Sequence, residues 1–102
     1  MRFRRGRFAP VIETQLDLFV RERRDVLDDV DARLRAYNQA ARDDAEELYG
    51  DYVDAVETGT ELLADLRDNY ASTLDDPDRY VDEFNRAVAR RLPELALEIE
   101  NR

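Results

Sequence analysis

Histidine, cysteine, lysine and tryptophan are absent from this chain, and serine occurs once, as Ser72. Without cysteine there are no disulfides, no thiolate metal sites and no thiol redox chemistry. Without histidine the usual proton shuttle near neutral pH is gone, as is the Glu-x-x-His pair of ferritin-like di-iron sites. Ser72 has no G-x-S-x-G frame around it. The three glycines are isolated, so there is no glycine-rich phosphate loop. The expected class is therefore non-enzymatic, with no catalytic residue, no cofactor and no metal.

Long apolar runs are also missing. The start, Met1-Arg2-Phe3-Arg4-Arg5-Gly6-Arg7-Phe8, has the charge of a signal n-region, but Glu13 and Asp17 interrupt the apolar stretch that would have to follow. Nothing approaches a membrane span. The expectation is a soluble, cytoplasmic protein with no membrane contact.

What is present is charge. All 16 basic residues are Arg, set against 25 Asp and Glu, for a net charge of −9. The balance is uneven: residues 1–24 carry seven Arg and three acids, and residues 25–102 nine Arg and twenty-two acids. Such an acidic body repels nucleic acid and anionic membrane, stays in solution, and strains against its own compaction. Abundant Asp with Arg in place of Lys resembles the composition of proteins from extreme halophiles. A GC-rich genome also favours Arg over Lys, but does not account for the acid excess.

Apolar residues make up 43% of the 102, enough for one modest core in one domain. They recur in steps of three and four, the spacing of amphipathic helices. Val11, Ile12, Leu16, Phe19, Val26, Leu27, Val30, Leu34 and Tyr37 make one stripe, and Ala41 to Leu74 continue it. From Tyr52 through Val56, Gly59, Leu63, Leu66 and Tyr70 the steps alternate four and three, a heptad seam. Pro10 suits the first turn of a helix, and Asp76-Pro77 an N-cap followed by N1. Pro77 to about Arg91 is predicted as a helix, kinked or ended by Pro93. Asp43-Asp44 with Glu46-Glu47 predict a helix start. The stripe holds phase through Gly59, which argues against a turn there.

The predicted fold is all-α, with residues 1–9 as a basic arm and 10–102 as a single helical domain of about three helices. Two forms fit. A break near residues 39–43 gives an antiparallel bundle. An unbroken helix over 11–74 gives a long, coiled-coil-like hairpin, whose stripe one short returning helix could not cover. Either way the chain is expected to be a homodimer, with a dimer or partner seam on Leu48, Tyr52, Val56, Leu63, Leu66 and Tyr70.

Two further features have a functional and a plain reading. Arg2, Arg4, Arg5 and Arg7, interleaved with Phe3 and Phe8, could contact phosphates while the rings stack on bases. The plain reading, which is preferred, pairs them with the acidic body of the same chain or of a partner, with the rings capping the core. Arg21-Glu22-Arg23-Arg24 reads as a solvated helix face pairing with Asp17, Asp25 and Asp28. The carboxylates of Asp43 to Glu47 and Asp75 to Asp78 read as caps and hydrated surface, since EF-hand spacing is absent. The functional expectation is a scaffold or protein–protein interaction module. The alternative is a nucleic-acid or ribosome-associated factor using the arm.

Through Arg7-Phe8-Ala9-Pro10, Glu47-Leu48-Tyr49-Gly50-Asp51-Tyr52 and Leu74-Asp75-Asp76-Pro77, the chain resembles the small, acidic, all-helical proteins common in haloarchaeal genomes, a type without assigned activity. The resemblance implies no cofactor and no functional residue.

The charge asymmetry has a measurable consequence. At ~1 M salt the Debye length falls to about 3 Å and most self-repulsion is screened. Helical ellipticity should therefore be low in dilute buffer and rise with KCl. Full ellipticity in salt-free buffer would count against the halophilic reading.

Overall fold

The computed structural model describes residues 6–102. Among them there are five α-helices and no strand: α1 (Ala9–Glu22), α2 (Arg24–Asn38), α3 (Ala45–Ala71), α4 (Pro77–Arg91) and α5 (Ala96–Glu100), with short 3₁₀ turns at Arg42–Asp44 and Pro93–Leu95. The all-α class is as expected. The count of about three is corrected to five, because the first stripe also breaks at Arg23 and the tail after Pro93 forms a short helix of its own. No helix spans 11–74, so the long-hairpin alternative is overturned.

The unexpected break is at Arg23, with φ −112° and ψ 32°. It needs neither glycine nor proline. Hydrogen bonding almost bridges it: Arg23 N–H donates to the Phe19 carbonyl at 2.8 Å and Leu27 N–H to the Arg23 carbonyl at 3.0 Å. The bend falls where the stripe has no apolar member, between Val20 and Val26. On one side Ile12, Leu16 and Phe19 are buried; on the other it is Val30.

Helices α2 and α3 are antiparallel. Tyr37 meets Tyr49 with ring centroids 5.2 Å apart, Arg33 reaches Asp51 at 3.7 Å, and Gly59 faces Val26. Helix α3 is one rod of 27 residues, about 40 Å long at 1.5 Å per residue. It runs through Gly50 and Gly59 without a break. A methyl group on Gly59 would sit 3.5 Å from Leu95 and from Val26, so this glycine lies where two other elements close on α3.

The second half follows local chemistry. The Asp76 carboxylate accepts from Arg79 N–H at 3.4 Å, with Pro77 in the first turn. Helix α4 ends at Arg91, and Pro93 opens the 3₁₀ turn leading to α5. Asp44, by contrast, makes no side-chain cap at the start of α3, although the sequence reads the carboxylates there as caps. Leu16, Leu63, Phe84, Val88 and Ile99 are shielded completely, drawing α1, α3, α4 and α5 into one core.

Helix α1 is capped from elsewhere in the chain. Phe8 has no capping side chain. Its N–H donates instead to Glu83 Oε1 at 3.0 Å, while Glu83 Oε2 accepts from Arg79 Nε at 3.2 Å. A Cβ on Gly6 would collide with Glu83 Oε1, so glycine allows this close approach.

One charged residue lies inside. Arg67, only 2% exposed, donates from one terminal nitrogen to Asn85 Oδ1 at 3.0 Å and to the Ile99 carbonyl at 2.9 Å. Its Nε donates to Asp68 Oδ1 at 2.7 Å. Arg67→Met keeps the bulk but strands these acceptors. It should cost about 3 kcal/mol and lower Tm by more than about 10 °C, with amide exchange accelerating first over residues 93–102. A melting curve like that of the parent would show the guanidinium to be dispensable.

Candidate interaction surface

The six residues of the sequence seam do not form one exposed face. Leu63 and Val56 are buried within the chain's own core, at 0% and 7% exposure. Tyr52, Leu66 and Tyr70 are half-buried against that core. Leu48 is half-buried nearer the α2–α3 connection. Phase along α3 is thus shared between intramolecular packing and an outer edge.

That edge is aromatic. Tyr49 is 50% exposed, and its ring stands between those of Tyr37 at 5.2 Å and Tyr52 at 6.3 Å. The surrounding stretch is acidic: residues 28–54 hold nine carboxylates against three Arg. Burial first, and then the carboxylate of Glu94, push the Tyr52 phenol up from its ordinary pKa, with Tyr49 and Asp31 adding to the effect.

Beside Tyr52 lies a cleft of about 360 Å³. Leu27, Val30, Leu92 and Leu95 are among its apolar lining residues, and Arg24, Asp31 and Glu94 are among its charged ones. It forms because the Arg23 bend carries α1 away from α2 while the turn after Pro93 folds Leu95 back onto α3.

A second cleft, about 310 Å³, lies where the described chain begins, with Gly6, Ile12, Glu13, Glu83, Arg86 and Arg90 on its walls. Arg2, Arg4 and Arg5 lie outside the described residues, as does Phe3. Arg7 is exposed, with its guanidinium 5.4 Å from the centre of the Phe8 ring. Phe8 packs edge-on against Tyr80 at 5.5 Å. The run Arg21 to Arg24 is exposed. Asp17 pairs with Arg91 at 2.8 Å, not with that run.

The carboxylate runs stay apart. Among the described residues no three Asp or Glu converge as a cation site. No helix of the described residues is long and apolar enough to cross a membrane. Compared with family models, with curated proteins and with solved structures, the chain matches none.

Sequence reasoning missed Arg67 and the cleft. Arg67 stands four residues after Leu63 and four before Ala71, in the phase of the buried stripe, and that phase was the available signal. The cleft depends on a bend that no residue type announces.

Tyr80 is the strongest outlier in acidity. Burial pushes it up to about 12, partly opposed by its hydrogen bond to Gln15, which accepts from the phenol at 2.6 Å. An unfolded tyrosine ionises near pH 10. The folded pKa is higher, so the stabilisation is complete below about pH 10 and is lost as pH rises toward about 12. A phenolate absorbance step near pH 12 should accompany loss of ellipticity and disappear in Tyr80→Phe. A Tyr80 step at pH 10 in the folded protein would contradict its burial.

Proposed function

We propose that this protein is a non-enzymatic helical scaffold or interaction module that associates with itself. The reading rests on one observation: an aromatic edge, centred on the half-exposed Tyr49, beside a cleft with both apolar and charged walls on the same molecule. Tyrosine offers large contact area at little entropic cost and is enriched in protein interfaces. The acidic shell opposes a nucleic-acid ligand, so the arm serves contact with protein carboxylates rather than phosphates. The bundle-like packing and the halophilic, cytoplasmic setting belong to the same reading and rest on composition and helix pattern. The seam moves from the whole heptad row to its outer members, Leu48 and Tyr52, together with Tyr49.

Sedimentation equilibrium tests the reading at a KCl concentration where ellipticity has reached its plateau. The chain should sediment above its 12.0 kDa monomer mass as concentration rises. Tyr49→Ala should shift it toward monomer with ellipticity unchanged. A monomer from micromolar to near-millimolar concentration would remove self-association.

A further inference from the structure

The rim of the larger cleft carries four charges; Arg91 is paired with Asp17 at 2.8 Å, and the other three make no ion pair with a described residue. Arg24 is exposed, opens α2, and makes no ion pair with any described residue. Seven residues along the same helix, about 10 Å at 1.5 Å per residue, stands Asp31. It too is exposed and makes no ion pair with a described residue, and the same holds for Glu94. All three line the one cleft, so the cation and the carboxylates share a face. The carboxylate end continues into Tyr52 and Tyr49, because Asp31 and Glu94 both lie close enough to act on the Tyr52 phenol.

Such a rim is complementary to itself. Turned half a revolution about an axis through the cleft, its cationic end lands on the carboxylate and tyrosine end. A two-fold interface asks for this property, since the same patch must serve both partners. Two Arg24–carboxylate contacts form at once, each with a tyrosine face beside it that can take a guanidinium. The apolar linings of the two clefts then face each other.

Resting on the self-association proposed above, we infer that the partner on this face is a second copy of the chain. It docks antiparallel, so that Arg24 of each copy meets Asp31 and Glu94 of the other. Any other segment would have to supply a cation and an anion at this spacing over an apolar centre; a second copy does so by symmetry.

Charge reversal within the full chain tests the inference, read by sedimentation equilibrium at the lowest KCl that gives full ellipticity. Arg24→Glu and Asp31→Arg should each weaken the dimer by about tenfold or more, because each places like charges together twice. The swapped chain carrying both changes should recover part of the parental association, since the carboxylate introduced at position 24 meets the guanidinium introduced at position 31 of the other copy but also the unchanged Glu94. An equimolar mixture of the two single variants should form a dimer that neither forms alone, since one contact sets Arg24 against Asp31 and Glu94 and the other sets the introduced carboxylate against the introduced guanidinium, with Glu94 the single opposing charge. If the parent chain dimerises and both single variants dimerise equally well, the face is wrong while self-association stands, and a partner of another kind on this cleft is then indicated. If the single variants weaken the dimer but neither swap nor mixture restores it, the antiparallel pairing is wrong. A parent chain that never dimerises overturns both readings.

Discussion

The guanidinium of Arg67 sits where three helices meet. From α3 it reaches Asn85 on α4 and the last buried carbonyl of α5, at Ile99. Burying a cation is expensive unless it is paired and its donors are satisfied. Here its Nε also meets Asp68, whose own side chain remains 57% exposed, so one end of the ion pair stays hydrated. Helix α5 has only five residues, far too few to hold helical form alone. It persists because Leu95 and Ile99 are buried and because Arg67 holds its C-terminal carbonyl. Leu95 in turn forms one wall of the larger cleft, so the cleft's shape goes back to this charge.

How much was legible in the sequence depended on whether the deciding chemistry was local. Asp76 and Pro77 set the start of α4 within two residues, and Pro93 set its end; both could be read directly. The continuity of α3 through Gly59 was legible because a turn has no reason to preserve phase. The Arg23 bend was not. Its dihedrals suit any residue, and only the lack of apolar members between Val20 and Val26 hinted at it. For the site, phase told which residues of α3 face an apolar neighbour but not whose. Val56 and Leu63 face the chain's own core, and Tyr49 faces out. Arg67 escaped notice because a charge in the apolar phase is ordinarily assigned to an edge.

The surface and the interior contribute differently. The ion pairs outside the core, such as Arg33 with Asp29 and Arg86 with Asp82, are exposed, and such pairs contribute little each. Stability therefore comes from a core of ordinary aliphatic and aromatic packing, while the shell sets how far the molecule repels itself and its neighbours. One internal group belongs to neither: the Thr60 hydroxyl is buried without a hydrogen-bond partner.

The cap on α1 has a consequence in time. The carboxylate that receives the Phe8 N–H belongs to Glu83, 75 residues further along. Helices α2 and α3 need only each other and a short connection, and contacts so near in sequence form early. On a ribosome adding roughly 5–20 residues per second, α1 emerges several seconds before its capping group exists. Its apolar face of Ile12, Leu16 and Phe19 must wait that long for α4, so α1 is covered only after α2 and α3 have paired.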